Sequence, residues 1–147
     1  MITKIQQDYE TDFYAWAMHN SKLLRERRFS EIDIENIAEE IESMGTSEKS
    51  ELINRLTVLM SHLLKWEFQR ERRGHSWLYT IKEQRLRIKR RLKKNPSLKS
   101  SLNESLNEAY EYALLQAVSD TGLSERTFPE ECPYSLEEVF DNDFYPG

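Results

Sequence analysis

A chain of 147 residues, 38% apolar and 32% charged, with three Trp, seven Tyr and six Phe, has enough large apolar groups for a core and too many aromatics for a disordered segment. The single cysteine, Cys132, excludes an internal disulfide and a cysteine-rich zinc site, so a reducing, cytoplasmic setting is expected. The formal net charge of −5 is unevenly spread: Lys65 to Lys94 holds twelve Lys/Arg against Glu67, Glu71 and Glu83, a local +9 that leaves −14 for the rest.

Read in chain order, the pattern predicts one all-α domain over 1–147, a bundle of about five helices with an aromatic-rich extension packed on it. The first helix, 8–27, opens at the capping residue Asp8 and carries Tyr9, Phe13, Trp16, Asn20 and Leu23 on one face. Asp33 caps a second, 34–44, in which Ile34, Ile37, Ala38 and Ile41 share a face, and Gly45 reads as a left-handed stop. A third, 48–72, holds Leu52, Leu56, Leu59, Leu63 and Trp66 at spacings of 4, 3, 4 and 3 until Gly74 breaks it. Ser76 caps the fourth, 77–94, with Trp77, Ile81, Gln84, Ile88 and Leu92 inward, and Asn95-Pro96 ends it. The fifth, 97–120, turns Leu98, Leu102, Leu106, Ala109, Ala113 and Ala117 inward and closes at Gly122. In the extension, 123–147, Ser135 and Glu138 form a capping box, and Phe128, Tyr134, Leu136, Phe140, Phe144 and Tyr145 are too apolar for a loose tail.

No signal-peptide stretch and no membrane span is expected, because Thr57, Ser61 and His62 interrupt the longest apolar run. Phosphate loops, nucleophile elbows and His-Glu-x-x-His patterns are absent from the sequence. His19, His62 and His75 are too scattered to predict a metal site, so no metal is assigned and no cofactor can be named. The acids and the proline flanking Cys132 disfavour a thiolate, so it reads as a half-buried small residue.

Three constellations remain. Lys82, Arg85, Arg87, Lys89, Arg90, Arg91, Lys93 and Lys94 surround the fourth helix as a positive collar, which suits nucleic-acid phosphates but equally a solvated face neutralised by the chain's own acids. Glu35, Glu39 and Glu42 line one side of the second helix and call for a counter-charge, with Lys65, Arg72 or the fourth helix as internal sources. Around the break at Gly74, a candidate polar site gathers His62, Lys65, Trp66 and Gln69 with Trp77, Glu83 and Arg85, facing Glu39 and Glu42.

Asp12-Phe13-Tyr14-Ala15-Trp16-Ala17, Glu35-Asn36-Ile37-Ala38-Glu39-Glu40-Ile41-Glu42-Ser43-Met44-Gly45, His62-Leu63-Leu64-Lys65-Trp66 and Phe128-Pro129-Glu130-Glu131-Cys132-Pro133-Tyr134 together resemble the bacterial domain-of-unknown-function family numbered twenty-nine. Ser76-Trp77, Thr80-Ile81, Glu83-Gln84-Arg85 and Pro96-Ser97-Leu98 extend the likeness in order, from about Tyr9 to Tyr145. The resemblance implies a helical fold and carries no activity or cofactor. Arg70 stands where a proline often follows the glutamine in that family, so the third helix is expected to run on here.

Three functions follow as expectations. The first is a non-enzymatic interaction domain that binds a protein partner or itself through separated acidic and basic surfaces. An alternative is a small-molecule or metal-dependent enzyme with Glu39, Glu42 and His62 as ligands or acid/base groups and Lys65 or Arg85 holding an anion. A third, less favoured because the whole molecule repels polyanions, is nucleic-acid binding through residues 70–94.

Overall fold

The computed structural model describes all 147 residues. It contains six α-helices and no strand: α1 (Lys4–Thr11), α2 (Phe13–Arg25), α3 (Ile34–Phe68), α4 (His75–Lys94), α5 (Leu102–Thr121) and α6 (Leu136–Phe140). The all-α reading holds, and the chain divides into two compact units, Met1–Thr46 and Ser47–Gly147.

In the first unit the expected helix 8–27 is two helices. Thr3 and Gln6 form a capping box that starts α1 four residues before Asp8. Asp12 leaves helical geometry at φ −152°, and its carboxylate accepts the Ala15 N–H at 3.1 Å to open α2. Arg27 ends α2 at φ 60°, with the Arg28 N–H on Leu23 O at 2.9 Å and its own N–H on Leu24 O at 3.1 Å. This is the Schellman stop, with arginine where glycine is usual.

Trp16, Asn20 and Leu23 are the buried face of α2, as their spacing indicates. Asp33 is buried beside them and caps α3, accepting from Asn36 N at 3.4 Å and Asn36 Nδ2 at 2.7 Å. It also takes the Trp16 indole N–H at 2.9 Å, while its own N–H donates to Asn20 Oδ1 at 2.9 Å. A carboxylate out of water needs such donors, so Asp33 ties α2 to the start of α3.

The largest departure is at Gly45. The separate helices 34–44 and 48–72 are one 35-residue helix, α3, that passes through Gly45 without a positive φ. Glycine permits a left-handed stop but does not impose one, and good helix formers on both sides continue the ladder. In consequence Ile34 and Ile41, read as core, are 63% and 60% exposed. At its other end α3 stops at Phe68 rather than running on past Arg70. Gln69 turns out at φ −133°, residues Arg70–Arg72 form a 3-10 turn, and the Arg73 guanidinium donates to Trp66 O at 2.6 Å, satisfying a terminal carbonyl.

The second unit is built on the leucine seam. Leu52, Leu56, Leu59 and Leu63 are fully buried, each contributing roughly 1.5–3 kcal/mol of burial. Ile81, Ile88 and Leu92 of α4 and Leu106, Ala109, Ala113 and Ala117 of α5 complete the core as the spacings indicate. The helix expected at 77 starts at His75, with Gly74 rather than Ser76 at its cap. The one expected at 97 begins as a 3-10 turn, Pro96–Ser101, because Ser100 and Ser101 hydroxyls bond to Ser97 O and Leu98 O and compete with the α ladder. Gly122 ends α5 at φ 71°. Phe128, Tyr134 and Val139 of the extension are buried in the core, and the Ser135–Glu138 capping box starts α6.

Gly45 offers a direct test, since a Cβ there would meet nothing within 4 Å. Gly45→Ala is expected to stabilise the protein by about 0.5–1 kcal/mol in urea unfolding, whereas Gly122→Ala, at a left-handed position, should destabilise it by about 1 kcal/mol. A loss of stability in the first variant would contradict an unbroken α3.

Candidate functional site

The residues expected to form one polar site separate into four places. Glu39 and Glu42 are exposed in the first unit. His62 belongs to the second unit. Glu35, Glu39 and Glu42 also take part in no ion pair, and the cations expected to answer them are used elsewhere or left free.

The second place is the flank of α3 and α5. His62 and Lys65, one turn apart, face Asp120 at the end of α5. Lys65 Nζ donates to Asp120 Oδ2 at 3.0 Å and lies 5.4 Å from the centre of the Trp77 ring. Gln116 holds the other carboxylate oxygen at 2.9 Å. Burial raises the Asp120 carboxyl, but the Lys65 and Gln116 hydrogen bonds outweigh it and the pKa falls below its ordinary value. His62 places Nδ1 2.8 Å from Val58 O, which assigns the proton to that nitrogen. Burial, then the neighbouring Lys65 ammonium, push its pKa down, so near pH 7 it is a neutral imidazole. The Lys65 charge is buried and Asp120 is about a third exposed, so the two halves of the pair differ in what they can do without each other.

The third place lies beneath the extension. The Trp66 ring meets the Tyr145 ring at a tilt, centroids 5.3 Å apart, and lies 5.0 Å from the Arg73 guanidinium, which also donates to Pro146 O at 3.0 Å. Arg85, expected in the solvated collar, is buried. Its Nε donates to Val139 O at 2.8 Å, and Nη2 donates to Phe144 O at 2.8 Å and Glu138 O at 3.3 Å. Burial draws its pKa down from its ordinary value. A planar fork of N–H groups suits a bundle of carbonyls that a lysine ammonium could not reach together. Gln69 contributes only backbone bonds, at the end of α3.

The fourth place is the outer side of α4. A groove of about 430 Å³ is lined by Arg55, Glu83, Leu86, Arg87, Arg90, Arg91 and Lys94. Most of its cations already have carboxylates: Glu83 takes Arg87 at 2.8 Å, Glu51 takes Arg55 at 2.8 Å, and Glu48 takes Arg91 at 2.6 Å and Lys94 at 3.2 Å. These bonds and one from Asn95 hold the Glu48 carboxyl below its ordinary pKa. Lys82, Lys89, Arg90 and Lys93 take part in no ion pair.

Asp120, Arg73 and Glu48 escaped the sequence reading. Their contacts with Lys65, Trp66, the final residues and Arg91 reach across 7 to 74 residues of chain, and no spacing rule links such positions. Cys132 is half-buried with its thiol on Tyr134 O at 3.4 Å, and burial pushes its pKa up. No three imidazole, thiol or carboxylate groups are placed to hold a metal ion, and no helix is long and apolar enough to cross a membrane.

Over residues 9–145 the chain matches the family described as Domain of unknown function DUF29, and it belongs to that family. No curated protein and no solved structure matches it.

Two consequences are measurable. Asp120→Ala strands a buried ammonium and should destabilise the protein by about 1–3 kcal/mol, while Lys65→Met, which leaves a carboxylate able to reach water, should cost under about 1 kcal/mol in urea unfolding. The His62 pKa is lower folded than unfolded, so its contribution is present above about pH 6.5 and lost as pH falls from there through the folded value. His62→Gln is therefore expected to flatten the fall in stability between about pH 6.5 and 5; an unchanged slope would contradict a neutral, buried imidazole.

Proposed function

We propose that the chain is a non-enzymatic protein-interaction domain. The observation that carries this reading is the placement of unburied apolar groups. Of fourteen large apolar side chains left exposed, ten belong to the first 46 residues, among them Phe13, Tyr14, Met18, Ile34, Ile41 and Met44. Scattered exposed apolar residues are normal, whereas their concentration in a third of a chain marks a surface that is covered in use.

The polar groups that suggested catalysis support the same reading. Lys65 is paired with Asp120 and Glu83 with Arg87, while the Arg85 guanidinium is held by hydrogen bonds to three backbone carbonyls. Groups held this way stabilise the fold and have little freedom to bind a substrate. The groove on α4 has the sign required for a polyanion, but its own acids already occupy most of its cations.

A photo-crosslinking residue placed at Tyr14, Met18 or Ile41, with Tyr112 as an exposed control in the second unit, tests the proposal in the native cell. Discrete protein adducts are expected at the first three positions and not at Tyr112. Adducts at those positions no different from the control would overturn the reading.

A further inference from the structure

The N-terminal part of α3 and the outer face of α4 carry matching stripes. Ile34 and Ile41 stand seven residues apart, both mostly exposed, and Glu35, Glu39 and Glu42 run along one side of them. On α4, Tyr79 and Leu86 stand seven residues apart, 58% and 50% exposed, with Lys82, Lys89 and Arg90 beside them. A seven-residue interval is two helical turns, so each pair of apolar groups projects from one line along its helix. One stripe is bordered by anions and the other by cations.

The charges in these borders take part in no ion pair. Glu48, Glu51, Glu83 and Asp120 each have a cation within 4 Å, while none of the three anions or three cations of the stripes has an opposite charge within that distance. Three like charges on adjacent turns repel one another, and a free stripe of either kind is relieved by a helix of the opposite kind. The acidic stripe is poorly matched to itself, which excludes a like-on-like pairing of two α3 segments.

From this complementarity we infer that the chain self-associates, the acidic stripe of α3 in one copy packing along the basic stripe of α4 in a second. The inference rests on the interaction reading above and names the partner as another copy of this chain. Ile34 and Ile41 interleave with Tyr79 and Leu86, and the glutamates meet the lysines and Arg90. Each copy offers one stripe of each kind, so every association leaves a matching pair available for closure or extension.

Light scattering after gel filtration at about 0.2 mM chain tests this in about 20 mM and about 500 mM salt. The wild-type protein should exceed its 17.6 kDa monomer mass in low salt and approach it in high salt. Glu35→Lys/Glu39→Lys/Glu42→Lys and, separately, Lys82→Glu/Lys89→Glu/Arg90→Glu should each weaken association at least about tenfold. The chain carrying all six reversals should regain it. Leu86→Asp, a single change at an exposed position, should also weaken association about tenfold and guards against misfolding of the triple variants. A wild-type monomer in low salt, unchanged mass in either triple variant, or no recovery in the six-fold variant would overturn the inference. A monomer that still yields discrete adducts with a different protein at Ile41 would overturn self-association and leave the interaction reading standing.

Discussion

An uninterrupted hydrogen-bond ladder through Gly45 decides more about this protein than any other feature. With residue 45 helical, α3 carries both the cap region of the first unit and the core seam of the second. Ile34, Glu35, Ala38, Glu39, Ile41 and Glu42 of its first three turns stand exposed, while Asp33, Asn36 and Glu40 bond to their neighbours. Tyr9 donates to Glu40 at 2.6 Å, and that bond pushes the phenol pKa up to about 12.

In the second unit two buried cations illustrate different ways of keeping a charge out of water. Lys65, a compact ammonium, has one carboxylate and one aromatic face. Arg85 has no carboxylate at hydrogen-bond distance and is satisfied by a cluster of main-chain oxygens at the turn out of α6, with Tyr145 over its plane. Its third nitrogen, Nη1, and the Tyr145 hydroxyl are buried without a partner at hydrogen-bond distance. The extension thus docks by apolar side chains and is oriented by guanidinium donors, Arg85 for residues 138–144 and Arg73 for the final residues. Tyr134 adds a third tie through its hydroxyl to Glu67 at 3.0 Å, an arrangement whose burial raises the phenol pKa strongly.

The legible part of the fold was the part set by short-range periodicity. Leu52 to Leu63, the α4 positions Ile81, Gln84, Ile88 and Leu92, and the alanines of α5 all lie inside as their spacing indicates, because a helix repeats its faces whatever it packs against. The extension, too, was recognisable from its aromatic density. What misled was punctuation. Gly45 and Asp8 belong to residue types that end or start helices, yet the ladder runs on through Gly45, and Thr3 and Asp12 open the first two helices, since their side chains accept the first free N–H groups. The charge of Arg85 suggests the solvated collar or a polar site, although its position on the helix lies beside the buried Gln84 and Ile88.

The sequence by itself determined that the chain is helical, where its cores lie along each helix, that its charges are segregated, and to which family it belongs. These follow from residue spacing and composition, which act over a few residues. Only the tertiary structure decided which charges meet. Lys65 found Asp120, Glu48 found Arg91 and Lys94, and Arg85 found the carbonyls of the extension, while the stripes on α3 and α4 kept their charges free. Such pairings join residues far apart in the chain and depend on distances of a few ångströms, since Coulomb attraction and hydrogen bonds fade quickly beyond contact in a wet surface.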